Sequence, residues 1–394
     1  MEFNYYIPTR IIFGAGKLAE LATTEHLPGK KALIVISSGT SMRKHGYLER
    51  TQGYLKENGV ESVVYDKILP NPIQEHVMEG AAVAQENNCD FVVGLGGGSS
   101  MDSAKSIAVM AKNPGEYWDY VNGGSGKGEP LVNGVLPIVC ITTTAGTGTE
   151  ADPWTVITKT ETNEKIGFGT DDTFPVLSIV DPELMLSIPP TLTAYQGMDA
   201  FYHAVEGYLA NIRQPVSDVY ALSSIKLVTE NLATAVENGS DIDARSAIAW
   251  ANTQSGMVES TSCCISEHSI AHALGAFYPG IAHGAALICV SVAYFTFLIE
   301  KTPEPGRFVD MAKAMGENVD ILPESERPMA FVTALKKLIK SIGLETMCLA
   351  DFDVDKSKSL ELAANAVDTM GFLYTLDPCE ISLEDTAGII EASI

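Results

Sequence analysis

Basic side chains are scarce in this chain: 26 Lys and Arg stand against 50 Asp and Glu among 394 residues, a formal net charge of −24. Such a polyanion repels phosphate backbones and anionic lipid, which argues against nucleic-acid and membrane-surface partners. Cysteine is sparse too, with seven residues, no Cys-x-x-Cys and one close pair, Cys263-Cys264. That usage argues against a disulfide framework, reads as buried thiols and makes the cytoplasm the expected compartment. Long apolar runs are scarce: the uncharged stretch Ala285 to Ile299 is too short to span a bilayer and reads as a buried helix. The N-terminal Met1-Glu2-Phe3-Asn4-Tyr5 carries neither the basic segment nor the apolar run of a secretory signal.

What remains is a globular composition, 46% hydrophobic and 19% charged, on a chain long enough for two domains. Up to about residue 187, β-branched runs alternate with helical stretches, the pattern of βαβ units in a parallel sheet. Lys31–Ile36, Ser62–Tyr65, Asp90–Leu95 and Leu136–Ile141 are the clearest strands. After Pro189-Pro190 those runs fade into helical windows, among them Thr193–Ala210 and Pro215–Glu237, so residues 188–394 read as all-helical. The Gly-rich Asn122–Gly128 reads as a surface loop.

Two loops of the first half suit phosphate. Gly96-Gly97-Gly98-Ser99 leads from a buried strand into a helix expected over Asp102–Ala111. Glycines let backbone approach a pyrophosphate, and a helix N-terminus offers free N–H groups, although a plain tight turn has the same look. It is neither Gly-x-Gly-x-x-Gly nor a Walker loop. The second, Thr143-Thr144-Ala145-Gly146-Thr147, again follows a strand and is rich in hydroxyls. Both are expected at the C-terminal edge of the sheet, where open α/β sheets bind ligands.

The second half carries histidines at metal-ligand spacing. Asp199 and His203 lie at i and i+4, as do His268 and His272, and either pair stacks on one helix face. A carboxylate with imidazoles suits Fe(II) or Zn(II) more than Ca or Mg, while a solvated Asp beside a core His gives the same spacing without metal.

The joint occurrence, in order, of Gly96–Asp102, Thr143–Glu150, Gly197–Gly207, His268–Gly275 and His283-Gly284 resembles the iron-containing (group III) alcohol dehydrogenase family over nearly the whole chain. The resemblance implies an α/β Rossmann-like dinucleotide-binding domain over 1–187 and an all-α metal-binding domain over 188–394, the architecture of dehydroquinate synthase, with the active site between them. It implies Asp199, His203, His268 and His283 as metal ligands and His272 as a nearby non-ligand histidine that relays the alcohol proton or orients the nicotinamide. Glu206 would hold a ligand imidazole or form a structural ion pair. Implied cofactor contacts are Ser37, Gly39, Thr40, Gly96, Gly97, Gly98, Ser99, Asp102, Thr143, Thr144, Thr147 and Lys165. The implied reaction is hydride transfer between a small primary alcohol or aldehyde and NAD(P), the metal polarising the alcohol oxygen. A polyol or glycerol-type dehydrogenase and a non-enzymatic nucleotide or metal-binding protein are the alternatives.

Thr142, Ser100 and Ala273 stand where many members of the family have Pro, and one extra residue separates His272 from His283. The turn after Lys31–Ile36, Ser37 to Lys44, holds no acid to bind a ribose 2′-hydroxyl; its hydroxyls with Arg43 and Lys44 make NADP the expected cofactor and NAD the alternative. Trp154, Phe168 and Phe277 are candidate pocket aromatics. Met1 to Phe13 is expected either to add an edge strand to a neighbour in a homodimer or larger oligomer, or to join its own sheet.

Overall fold

Apolar runs between Gly, Pro and Asn breakers become strands β1 (Arg10–Phe13), β2 (Lys31–Ser37), β3 (Glu61–Ile68), β4 (Phe91–Gly96) and β5 (Ile138–Thr142), then a hairpin of β6 (Thr155–Lys159) and β7 (Glu164–Phe168), then β8 (Leu177–Val180). The computed structural model describes residues 2–303 and 305–394. The chain divides into one unit over Tyr6–Ser187 and a second over Ile188–Ile394, to which the N-terminal residues up to Tyr5 also belong. That last feature departs from a break at 187 alone, because the Tyr5 hydroxyl meets Tyr220 of the second unit.

In the first unit, six strands pair in parallel in the order β1-β8-β5-β4-β2-β3. Both faces are buried, which is why β2 and β4 are apolar throughout rather than alternating. Leu33, Val35 and Val92 enter one core, and Ala32, Ile34 and Val93 enter the other. The faces are covered by α1 (Ser41–Lys44), α2 (Tyr47–Glu57), α3 (Gln74–Glu86) and α4 (Gly98–Met110). From β2 the chain steps outward to β3 and then returns to the other side of β2 for β4, so the direction of winding reverses between β2 and β4. That reversal is where open α/β sheets take ligands. The first strand joins its own sheet at the edge, beside β8; Met1 lies outside the described residues.

Two features differ from the sequence pattern. The β6–β7 hairpin and β8 escape it, being five residues or fewer with charged or polar members. Helix α4 begins at Gly98 rather than Asp102, since Gly97 is extended (φ −83°, ψ −173°) and the glycine run supplies the first turn itself.

Asp102 and Lys105 on α4 then pin the chain that follows β5. The Lys105 ammonium, fully buried, donates to Thr149 Oγ1 (2.6 Å), to the carbonyls of Asp152 (2.9 Å) and Trp154 (2.7 Å) and to Asp152 Oδ1 (3.2 Å). The Asp102 carboxylate accepts from Thr149 Oγ1 (2.8 Å) and from the backbone N–H of Val156 on β6 (3.0 Å).

The second unit is helical: α5 (Pro190–Leu209), α6 (Pro215–Glu237), α7 (Ile242–Ser262), α8 (Ser266–Phe277), α9 (His283–Lys301), α10 (Gly306–Ala314), α11 (Ala330–Ser341), α12 (Ser359–Tyr374) and α13 (Leu383–Ala392). Pro190 and Pro215 each start a helix at a position where no backbone N–H is needed. Helix α5 is the centre. A Cβ at Gly197 would lie 2.2 Å from Leu232 of α6, and one at Gly207 would lie 2.3 Å from Val258 of α7, so both glycines permit close packing. The uncharged stretch lies within α9, whose 19 residues are, against the expectation from the stretch alone, long and apolar enough to cross a membrane; it packs as a core helix, with Leu287, Phe295 and Leu298 fully buried.

Burial pushes the Asp102 carboxyl up from 3.8 to about 6, against the opposing pull of Lys105 and of its two hydrogen bonds. In the unfolded chain the same group ionises near its ordinary value, so the stability contributed by the neutral carboxyl is lost as pH rises through about 6. Asp102→Asn cannot ionise and is expected to gain roughly 2 to 3 kcal/mol relative to wild type between pH 4 and pH 7, read by urea unfolding at both pH values. A constant difference between the two proteins would contradict this.

Candidate active site

In the first unit the loops after β2, β4 and β5 stand side by side because their strands are neighbours. Ser37 ends β2 with Gly39 and Thr40 just beyond it, and Gly96 ends β4 with Gly97–Ser99 just beyond it, so these residues flank the winding reversal. Gly96 has φ +149°, a conformation that side chains disfavour. The glycine and threonine loops touch: a Cβ on Gly97 would lie 3.0 Å from Thr144, one on Gly98 2.5 Å from Thr147, and the Thr143 N–H donates to the Gly96 carbonyl (2.9 Å). The first N–H groups of α4 therefore open beside a wall of hydroxyls, a setting for phosphate. Thr142, which replaces a frequent Pro, donates its hydroxyl to the Thr144 carbonyl (2.8 Å).

Other candidate cofactor residues are engaged elsewhere. Ser99 Oγ donates to the Pro70 carbonyl, Lys165 Nζ to Asn71 Oδ1 (3.2 Å), and Asp102 is held by Thr149 and Val156. Arg43 donates to Asp66 Oδ2 at 2.6 Å. The acid missing from the Ser37–Lys44 turn thus comes from β3, a neighbour that the local sequence cannot reveal. Phe168 packs edge-to-face on Tyr117 in the core, which answers its reading as a pocket aromatic.

In the second unit, α5 carries Asp199, His203 and Glu206, α8 carries His268 and His272, and α9 opens at His283. Helix α9 reaches α5 through Gly284, where a Cβ would sit 2.2 Å from the Tyr195 carbonyl oxygen. Asp199 Oδ1 is the hub. It lies 3.5 Å from His283 Nε2, 3.7 Å from His268 Nε2 and 3.7 Å from His203 Nδ1. Asp199, His268 and His283 place one donor atom each within 4.8 Å of one another. The His203 ring stacks 4.2 Å from His268, its Nε2 3.6 Å from Glu259 Oε2. His272 lies 5.1 Å from the His283 ring.

Two buried atoms of this cluster, Asp199 Oδ1 and His268 Nε2, have no hydrogen-bond partner among the described residues. An orphaned carboxylate oxygen opposite an orphaned imidazole nitrogen, in a site only 4% and 2% exposed, is costly unless a cation lies between them. The donor set, one carboxylate with imidazoles, fits Fe(II) or Zn(II). Glu206 resolves its two readings in favour of the imidazole: Oε1 faces His268 Nδ1, and Oε2 accepts from the Ile265 N–H (2.7 Å). Such a carboxylate would fix the tautomer that leaves Nε2 for a metal. Burial alone would lower His268, yet with no cation present the Glu206 and Asp199 carboxylates overcome it and raise the imidazole to about 10, so a metal bound at Nε2 would have to displace that proton.

Glu259, Glu267 and Met370 belong to this neighbourhood and have no sequence signal. Glu267 is completely buried, and burial followed by the facing Glu206 carboxylate pushes it well above the carboxylate range. At the second position of a helix a Glu reads as solvated, because acids favour first turns anyway.

An enzyme that moves hydride to a nicotinamide while a metal holds its substrate needs a dinucleotide fold and a cage of metal donors such as imidazoles with a carboxylate, and the two units present one candidate each. Residues 8–182 match the family model of iron-containing alcohol dehydrogenase, and residues 193–394 match that of the Fe-containing alcohol dehydrogenase family, C-terminal. The chain is 35% identical to the NAD-dependent methanol dehydrogenase of Bacillus methanolicus over 99% of this chain and 100% of that protein. It is 35% identical to the 1,3-propanediol dehydrogenase of Klebsiella pneumoniae over 87% of each. An archaeal halo-thermophilic alcohol dehydrogenase from a Red Sea brine pool superposes with a TM-score of 0.94 at 37% identity, covering 100% of this chain and 99% of the other. The chain belongs to the iron-containing alcohol dehydrogenase family and is an oxidoreductase of the alcohol dehydrogenase class.

Removing the hub is expected to empty the cage. Asp199→Ala should weaken divalent-metal binding by at least about 100-fold, measured by chelator competition, with the far-UV CD spectrum unchanged. Wild-type metal affinity in the variant would remove Asp199 from the ligand set.

Proposed function

We propose that this chain interconverts small primary alcohols and their aldehydes with NAD(P), residues 188–394 holding a divalent metal and residues 1–187 the dinucleotide. The observation that carries the reading is the Asp199 oxygen at the centre of the buried imidazole cluster, 3.5 to 3.7 Å from three imidazoles and too far from each for a hydrogen bond. Asp199, His203, His268 and His283 would hold Fe(II) or Zn(II), with Glu206 fixing His268 from behind. When bound, the metal lowers the pKa of the alcohol hydroxyl and the nicotinamide takes up the hydride. The N–H groups at the start of α4, with Thr143, Thr144 and Thr147, bind pyrophosphate, and Ser37, Gly39 and Thr40 face the adenosine ribose. His272, one turn beyond His268 and buried, takes up the alcohol proton.

The free cysteines, four of the seven buried, agree with a reducing cytoplasm. Self-association as a homodimer or larger oligomer is part of the proposal, supported by the sheet edge at β1. A polyol or glycerol-type substrate has no observation in its favour beyond those that serve a simple alcohol.

Turnover is the direct test. Protein loaded with Fe(II) or Zn(II) is expected to oxidise 1-butanol or 1,3-propanediol with NAD or NADP, and to lose activity on chelation. Full metal and dinucleotide binding without turnover of any alcohol or aldehyde would favour a sensing protein.

NADP is our preferred cofactor, with Arg43 leaving Asp66 for the 2′-phosphate. The Arg43–Asp66 pair is about half exposed, and such pairs contribute at most about 1 kcal/mol, so the exchange is cheap. Asp66→Asn should raise the NADP over NAD ratio of kcat/KM several-fold, and Arg43→Ala should lower it. Ratios unmoved in both variants would overturn the choice.

A further inference from the structure

Helices α8 and α12 are joined by a contact that neither the metal cage nor the dinucleotide loops explain. The backbone of α12 leaves the helical region at Met370 (φ −132°, ψ 35°), beside Gly371, and the Met370 thioether sulfur lies 2.8 Å from His272 Nδ1. Methionine in a core is ordinarily a flexible filler of gaps. Here its position is constrained on both sides. One turn earlier, Ser269 Oγ of α8 donates to the Ala366 carbonyl of α12 (2.7 Å). Beyond the end of α12, Asp377 Oδ1 accepts from the Ser266 N–H (3.3 Å) and from the Tyr294 hydroxyl (2.9 Å). With α12 tied to α8 before and after the break, the sulfur is presented to one ring nitrogen.

A thioether has no proton to give, so the contact is a hydrogen bond only when Nδ1 carries the hydrogen. That selects the tautomer in which Nε2 holds the lone pair. The two histidines of α8 are then set by the same device with opposite chemistry. His268 turns Nδ1 to a carboxylate, Glu206, which makes Nε2 a strong metal donor. His272 turns Nδ1 to a neutral sulfur, which orients the ring and lends it no charge. We infer that Met370 is the positioning residue of His272, holding it in the Nδ1–H tautomer so that Nε2 is the nitrogen that accepts a proton from the substrate. The inference rests on the proposed role of His272 as the proton acceptor.

The experiment uses the full-length protein loaded with Zn(II), a diamagnetic metal that permits NMR. Ring-15N-labelled histidine, with His272 assigned by comparison with His272→Ala, is expected to show the Nδ1–H pattern in wild type. Met370→Leu keeps the volume and loses the acceptor. It should shift the His272 signal toward the Nε2–H form and lower kcat between about 10- and 100-fold, with metal content intact and both KM values within about twofold. Met370→Gln restores an acceptor through its side-chain carbonyl and should recover most of kcat and the Nδ1–H pattern. Retention of the Nδ1–H pattern, or of wild-type kcat, in Met370→Leu would overturn the inference. Failure of the underlying role is distinguishable, since His272→Ala would then turn over at the wild-type rate whatever the tautomer.

Discussion

A carboxylate buried among helices is unstable by itself, and the second unit is organised around one. Taking an ion such as Asp199 out of water costs several kcal/mol, which nearby charge or hydrogen bonding must offset. The three imidazoles within 3.7 Å of Asp199 Oδ1 come from α5, α8 and α9, so these helices meet where that oxygen is. Gly284 at the start of α9 allows its approach to α5, while Gly197 and Gly207 seat α5 against α6 and α7, because a methyl group at any of them would collide with the neighbouring helix. Fold and site are therefore one constraint, in which close packing brings the donors together and a cation held among them would stabilise the packing.

Behind the ligands, the partner at Nδ1 decides what each histidine does. Glu206 is occupied fully, with one oxygen on His268 and the other on the backbone N–H of Ile265 at the turn into α8. A single side chain thus orients a ligand and anchors the helix that carries it. Burial, and the Glu206 carboxylate that faces it, push Glu267, next in sequence to His268, well above the usual carboxylate range.

The first unit solves a different problem with similar economy of parts. A pyrophosphate needs backbone N–H groups that nothing else covers, and the reversal of winding between β2 and β4 leaves the helix α4 terminus open there. Glycines at 97 and 98 admit Thr144 and Thr147 against the loop, while Lys105 and Asp102 hold the chain beyond β5 from beneath. The buried ammonium is satisfied mainly by carbonyls and a hydroxyl, so it fixes a path for the backbone as well as pairing a charge.

The division into an α/β half and a helical half, the glycine and threonine loops, and the Asp199–His203 and His268–His272 pairs were legible in the sequence because each is local, whereas His283 joined them only through the family resemblance. A strand-to-glycine-to-helix order, or residues four apart on one helix, requires only neighbours along the chain. The family was legible because several such local patterns occur together in order. What the sequence could not determine was any partner drawn from another element. Asp66 on Arg43, Glu259 beside His203, Glu267 against Glu206 and Met370 on His272 are 23 to 98 residues apart or depend on which helix face turns inward. The start of α4 at Gly98 and the short strand β8 were set by the sheet that surrounds them, since glycine has little helical preference and four residues have little strand preference of their own. Local pattern chose the chemistry available to this protein, and only the tertiary structure decided which nitrogen, oxygen or sulfur each reactive group would face.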